Sequence, residues 1–446
     1  MKKIFLTTTL LFSLLTTTIC QEKIWTMEEC MLYAVENSPV VKKQQHVNDT
    51  YKAEYVSSIT SFLPSISAGS SATYNYGRTL GDDNVYQDIS SFTNQYNGDA
   101  SLTLFSGGVL VNQWRKAKIN QKLGVNDIQK EKDDLAIKTM AAFVDVVYYK
   151  GTTKFAEEKL DESNRLLYKT NRMEELGLKG KADVAQIEAQ VAADDYTFTR
   201  YTNLYNVAIA TLKELMNYPS DQELSIDTLI TSQIYLLENE SVENIYELAK
   251  ETNPAALQAD YQLQAFKMQH LIEKGRLLPT ISLNAGVNTR YFKDLKYDYT
   301  DENPLASFKS QFKDKMGEYV GFSISIPLFN GLYRVTNIRR ARNNVRIAIE
   351  NQTQIHRQLE TSIEKALLER GGYAKETVQM EKKVASEEYA YQVTLRKYEE
   401  GLMSSLDLQT SSNILIQSKA DLLQKKLMYI IKCKEVDYYK GTPLIN

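Results

Sequence analysis

The chain is poor in the residues that most chemistry uses. It has 3 cysteines and 3 histidines in 446 residues. Cys20 falls in a leader described below, and the other two cannot build the dense disulfide framework of a small secreted fold. Cys30 opens the first helical segment and Cys433 lies near the end of the last. A single pair is geometrically open, and two buried free thiols is the simpler reading. His46, His270 and His356 are scattered along helical segments with no metal-ligand neighbour at i+3 or i+4, which argues against a metal site. Beyond the leader no stretch approaches the roughly 18 uninterrupted apolar residues of a membrane-spanning helix. The formal charge of -3 is small for this length and argues against nucleic acid as a partner. No nucleotide-binding loop, nucleophile triad or catalytic carboxylate pair is visible. No enzymatic activity, metal or cofactor is therefore expected.

Met1-Lys2-Lys3 is followed by an apolar run over 4–15 and then by Thr16 to Cys20. This is the pattern of a secretory signal, 1–20, too short to span a bilayer. Cleavage is expected after Cys20, with Thr18 and Cys20 as the small residues. The rival is a lipoprotein signal with Cys20 acylated, but Ile19 is bulky where that signal wants a small residue. On either reading the mature chain leaves the cytoplasm.

The rest of the sequence is said twice. Glu36-Asn37-Ser38-Pro39 is echoed by Glu251-Thr252-Asn253-Pro254, and Phe62-Leu63-Pro64-Ser65-Ile66-Ser67 by Leu277-Leu278-Pro279-Thr280-Ile281-Ser282, both at an offset of 215. The offset then becomes 224: Ser101-Leu102-Thr103-Leu104-Phe105-Ser106-Gly107 is echoed by Ser325-Ile326-Pro327-Leu328-Phe329-Asn330-Gly331. Gly177-Leu178 with Asp183 is echoed by Gly401-Leu402 with Asp407. One duplication with one loop-length change accounts for all four pairs. The mature chain reads as a single unit, 21–446, of two repeats at about 26–217 and 242–440, joined by an irregular link, 218–241.

Each repeat carries two segments of period-two alternation. They are 65–77 and 98–105 in the first, and 280–292 and 318–328 in the second. Ile66, Ala68, Ala72, Tyr74 and Tyr76 share one face of the first segment, with Ser67, Gly69, Ser71 and Thr73 on the other. Such alternation marks a transmembrane β-strand, and a half-buried soluble sheet shows it too. Tyr74, Tyr76, Tyr291 and Phe292 suit an interfacial girdle. The polar stretches 78–96 and 293–317 read as long hairpin loops. Four strands close no membrane barrel, which needs at least about eight, and an open edge is not viable in lipid. Strands in a membrane therefore imply an oligomer, and a symmetric trimer gives twelve.

Proline is absent from 107–176 and from 331–400. Helices of about 70 residues would be roughly 105 Å long, far beyond a globular helix. Val335, Ile338, Val345, Ile349, Leu359, Ile363 and Ala366 form a 3-4 spaced seam of the coiled-coil kind, and Gly371-Gly372 is a place for a bend. Segments 27–63 (broken near Pro39), 183–217, 242–278 and 407–440 read as shorter helices. Stacked end to end in pairs, they match one long helix. Narrow seams with much polar surface suit a hollow, water-filled helical cylinder.

These residues resemble the TolC family of outer-membrane factors over nearly all of 26–440. The likeness rests on Trp25-Thr26-Met27-Glu28-Glu29-Cys30 with Ala34 and Asn37-Ser38-Pro39, on Phe62-Leu63-Pro64-Ser65-Ile66, and on Leu104-Phe105-Ser106-Gly107-Gly108 and Pro327-Leu328-Phe329-Asn330-Gly331. The resemblance implies an α+β membrane protein. Each chain would give four strands to a trimeric twelve-stranded β-barrel in outer-membrane lipid, continued by a long-helix tunnel through the periplasm. It implies a passive exit duct of tripartite efflux, docked by a periplasmic adaptor and an inner-membrane pump. Type I protein or peptide secretion is the alternative within the family, and a coiled-coil anchor between periplasm and outer membrane the alternative outside it. An anchor needs no paired hairpins.

The same resemblance places Gly177, Leu178, Gly401 and Leu402 at periplasmic tips where an adaptor docks. It matches Asp183, Tyr398 and Asp407 to the residues that constrict the closed tunnel. A Tyr398 hydroxyl bonded to Asp183, and an Asp407 ring whose crowded carboxylates raise one another's pKa, are the devices expected there. Met403 departs from the pattern where an arginine ties the closed state, and Thr410 where a second aspartate ring lies. From the residues alone, an Asp that opens a helix after a Gly turn is also ordinary capping.

Overall fold

The computed structural model describes residues 23–80, 84–228 and 240–445. The expected leader and part of the link, 229–239, lie outside them. Proline organises the start of each half. Helices α1 (Met27–Asn37) and α2 (Pro39–Thr60) have counterparts of equal length in the second half. These are α5 (Val242–Thr252) and α6 (Pro254–Gly275). Segment 242–278, read above as one helix, is therefore two. The cause is local: a proline lacks the N–H of the helix ladder and pushes its predecessor out of helical geometry. Ser38 and Asn253 are both extended, with ψ of 125° and 123°. Each then caps the new helix. Ser38 Oγ accepts from the backbone N–H of Val40, and Asn253 Oδ1 from that of Ala255.

The two long helices, α3 (Val109–Glu175) and α8 (Tyr333–Glu399), have 67 residues each. At 1.5 Å per residue they are about 100 Å long. Helix α8 continues through Gly371-Gly372 without a break. Helices α4 (Lys181–Met216) and α9 (Ser405–Tyr439) return from their far ends. Helix α3 packs against α2 and α6 over one part of its length and against α4 and α9 over the rest; α8 packs against α6 and α9. The protomer is thus an open wall of four columns: α2 then α4, α3, α6 then α9, and α8.

Where the short helices meet, α1 and two short strands, β1 (Ile24–Trp25) and β4 (Ser225–Ile226), wrap the middle of α3. Phe143, Met140 and Val146 of α3, Met31 of α1, and Leu212 and Met216 of α4 are fully buried there. Trp25, Tyr33 and Tyr218 pack edge to face beside them, with centroids 5.2–5.9 Å apart. The link thus contains a paired strand rather than only irregular chain. Cys30 sits in this core as a free thiol, pushed up to about 12 by burial, and Cys433 is also free. The seam expected along α8 holds at Leu359, Ile363 and Ala366. Nearer the strands, α8 buries Asn337, Ala341 and Ala348 instead, while Val335 and Ile349 stay exposed on this protomer. The small residues let α6 approach closely.

The four remaining strands form one antiparallel sheet in the order β2 (Ser65–Leu80), β3 (Tyr86–Phe105), β5 (Thr280–Asp294), β6 (Gly317–Ser325). Strand β2 runs on to Leu80 and β3 begins at Tyr86, so 78–80 and 86–96 are strand rather than loop. The polar segment pairs as the outer part of a hairpin stem, with Arg78 opposite Asp88 and their side chains 3.0 Å apart. A stem that stands in water needs no apolar face. Strand β6 stops at Ser325, short of the expected 328, because Pro327 has no N–H to give a ladder. Segment 295–316 is a loop that includes a short helix, α7 (Phe308–Asp314).

Register sets the faces. Ile66 pairs with Ala100, Ala100 with Ala285 and Ala285 with Val320, a row of apolar side chains across one face. Ile66 and Val320 are 80% and 75% exposed in the protomer. One residue along, Ser67, Asp99, Gly286 and Tyr319 make a polar row on the opposite face. Strands β2 and β6 leave their outer edges unpaired among the described residues of the chain.

Candidate functional site

The end remote from the sheet carries two equivalent helix turns. Helix α3 ends on Gly177, with φ of 72°, and α8 ends on Gly401, with φ of 77°. At that φ a Cβ collides with the following carbonyl, so glycine is the residue that turns the chain cheaply. Both turns have the same hydrogen bonds. The N–H of Leu178 reaches the Met173 carbonyl and that of Leu402 the Lys397 carbonyl, each at 2.8 Å. This is the Schellman closure of a helix C-terminus. The leucines it throws outward are 70% and 71% exposed. Gly177, Leu178, Gly401 and Leu402 therefore form a pair of matching apolar points at the tip.

Asp183 and Asp407 stand three residues into the returning helices. Asp183 Oδ2 accepts from Gly180 N–H at 3.0 Å, and Asp407 Oδ2 accepts from Ser404 N–H at 3.2 Å and Ser404 Oγ at 2.7 Å. Ser404 Oγ in turn accepts from Asp407 N–H, which completes a capping box. The bonds from Ser404 hold the Asp407 carboxyl below the usual carboxylate range in the protomer, the opposite direction to the expected crowding. Tyr398 is buried with Tyr391, Leu408, Leu415 and Met403. Its hydroxyl has no hydrogen-bond partner among the described residues, so the expected bond to Asp183 is not made. Instead Lys179 Nζ lies 5.1 Å from the ring centroid, a cation–π contact from one turn to the other hairpin.

Behind the tip, α3, α4, α8 and α9 enclose a cavity of ≈ 400 Å³. Its polar lining includes Glu162, Ser163, Gln186, Tyr391, Glu399 and Ser405. Lys159 Nζ and Asp194 Oδ1 form an ion pair at 3.0 Å with side chains only 11% and 4% exposed. Ser163 Oγ and Gln190 Nε2 also donate to Asp194, and Lys159 reaches Asn413 on α9. Tyr391 donates to Glu162, whose carboxyl burial pushes up, with Arg165 and Lys159 pulling back. Lys169 meets Glu399 at 3.0 Å, and Ser405 donates to Gln186 at 2.8 Å. The two hairpins are thus tied by polar bonds across a cavity. Sequence reasoning missed these residues. One signal was present: Ser163 lies as far before Gly177 as Asp194 lies after Gly180, so an antiparallel hairpin turning over 177–180 sets them opposite each other.

A duplicated wall with an exposed apolar sheet face at one end and paired turns at the other is a recognisable form. The sequence profile described as outer membrane efflux protein matches residues 33–218 and 245–433. The chain belongs to the outer membrane efflux protein family. Outer membrane protein TolC of Escherichia coli (strain K12) is 22% identical over 416 residues, 91% of this chain and 80% of the relative. The CmeC outer membrane channel of Campylobacter jejuni superposes with a TM-score of 0.79 at 15% identity, over 93% of this chain and 85% of that one. The outer membrane protein VceC of Vibrio cholerae gives 0.78 at 13% identity, over 94% and 96%. These two structures establish the fold. As an outer membrane efflux protein, the chain is an exit duct, with its strands in the outer membrane and its helices in the periplasm. The family is one of passive channels, not of enzymes.

Proposed function

We propose that three copies of this chain close into one duct, and that an efflux adaptor and pump open it at the helix-turn tips. The observation that carries this reading is the open sheet: four strands, lipid-compatible on one face, with both edges unpaired. Such edges are not viable in a bilayer. Two copies would give eight strands, an interior that side chains fill. Three give twelve, with room for a lumen lined by the Ser67, Asp99 and Gly286 face. The lateral columns fit the same closure, since Val56 and Ile59 on α2, Val207 on α4, and Ile347 and Leu368 on α8 are exposed apolar residues.

At the tips, Leu178 and Leu402 are the adaptor contacts in this reading, held out by Gly177 and Gly401. Tyr398, Asp183 and Asp407 form the constriction: Tyr398 by filling the space between hairpins, the aspartates by presenting charge around the three-fold axis. Asp407→Asn separates gate from cap, because an Asn Oδ1 can still accept from the Ser404 N–H of the capping box while the charge is removed. In planar-bilayer recordings of the purified duct, the variant should lose divalent-cation block from the periplasmic side. Block equal to wild type would reduce Asp407 to a capping residue and place the constriction elsewhere.

A further inference from the structure

Helix α7 is not explained by conduction. Strand β6 pairs with β5 only as far as Asn288, which leaves the next part of β5 with a free edge. Gln311, 5% exposed, fills that gap like a missing strand. Its Oε1 accepts from Phe292 N–H at 3.0 Å and its Nε2 donates to the Phe292 carbonyl at 3.1 Å. Thr289 Oγ1 adds a bond of 2.7 Å to the Phe312 carbonyl. So anchored, α7 lays Phe308 and Phe312 on Tyr96, with centroids 5.9 and 5.5 Å away, and Phe308 on Tyr291 at 5.7 Å.

Register puts Tyr96 and Tyr291 on the apolar face, in line with Val287, Ala285 and Leu283. That is the face toward lipid. From Ile281 to Tyr291 the strand rises roughly 33 Å, which at a barrel tilt of about 40° is a height of roughly 25 Å, the thickness of the apolar band. Helix α7 therefore lies at the outer rim of that band, on the side away from the periplasmic tips. Beside it runs an open groove of ≈ 530 Å³, floored by Ala68, Gly98 and Val287 and bounded by Phe312 and Met316. On the helix itself, Lys309 and Lys313 stand one helical turn apart and exposed, and neither has an ion pair with a described residue. Asp314, the acid of this helix, is turned onto Ser310 Oγ at 2.8 Å.

We propose that α7 and the groove beside it form a binding site for an outer-leaflet lipid with a phosphate-bearing headgroup. An acyl chain lies in the groove, and Lys309 and Lys313 meet the headgroup phosphate. The site is continuous with the lipid-facing band, and its exposed charge has the sign that an anionic headgroup complements. Basic residues at a membrane surface each contribute enough that losing two should weaken binding about thirtyfold at low salt.

The test titrates the detergent-purified full duct, by native mass spectrometry, with a bisphosphorylated glycolipid, its dephosphorylated counterpart and inorganic phosphate. Lys309→Gln with Lys313→Gln should bind the phosphorylated lipid about thirtyfold more weakly and the dephosphorylated lipid as wild type does. Lys309→Arg with Lys313→Arg should retain binding. Ala68→Phe, which fills the groove, should weaken both lipids. Equal binding of the phosphorylated lipid by wild type and the Gln variant would overturn the proposal, as would displacement of the lipid by inorganic phosphate.

Discussion

Asp194→Ala asks how much of the tip's order depends on one buried charge. Asp194 is 4% exposed at its side chain and takes bonds from Lys159, Ser163 and Gln190. Its removal strands the Lys159 ammonium, itself only 11% exposed, between α3, α4 and α9. Breaking a buried pair by deleting one partner costs about 3–5 kcal/mol, because the remaining charge is left uncompensated. The loss should be local, since α3 is held independently by the core around Phe143. Hydrogen exchange of the detergent-solubilised duct reads it directly. Amides of α3 near Lys159 and of α4 near Asp194 should exchange roughly a hundredfold to several thousandfold faster, at about 1.4 kcal/mol per tenfold. Amides around Met31 and Leu212 should not change. Lys154→Ala is the control: its contact to Glu158 is 4.0 Å long and exposed, so exchange should shift by no more than about threefold. Lys159→Met with Asp194→Leu removes both charges and should recover most of the protection. If Asp194→Ala speeds exchange less than tenfold, or the double variant is worse than the single, the buried pair does not hold the hairpin.

Three further outcomes follow from packing and backbone geometry. Phe143→Ala empties the central knot and should destabilise the protein by about 3–5 kcal/mol, seen as a lower denaturation midpoint and weaker protection in α1 and α4. Gly401→Val forces a β-branched side chain into the left-handed region at a cost of about 1–2 kcal/mol, and exchange at the α8–α9 turn should rise while the sheet is unaffected. Leu178→Asp with Leu402→Asp should leave single-channel conductance of the purified duct intact and abolish efflux in cells; unchanged efflux would remove the tips from adaptor docking.

The repeats were legible because duplication preserved length. The 11- and 22-residue helices recur in both halves, parted by Ser38-Pro39 in one and by Asn253-Pro254 in the other. The apolar strand face was legible for the same reason that it suits lipid: alternation has no other partner to hide behind. The hairpin stem 86–97 was not, since Asp88, Ser90 and Asn94 interrupt the face that is apolar nearer the helices, and the alternation is lost there. Helix α7 was hidden in a polar loop, and Gln311 acts through a strand edge that no local pattern announces. At the tip, Gly177 and Gly401 could be read from turn chemistry alone. The bonds that tie the hairpins could not, because Lys159, Asp194, Glu162 and Tyr391 meet only once α3, α4, α8 and α9 have folded together.

The central claim is closure of an open four-stranded sheet by identical copies. The mass of the outer-membrane complex, extracted in mild detergent and measured by native mass spectrometry before and after heating, tests it most directly. The account predicts three chains per complex, released as single chains on heating. A monodisperse single chain, extracted from the outer membrane with its β2 and β6 edges free, would contradict it.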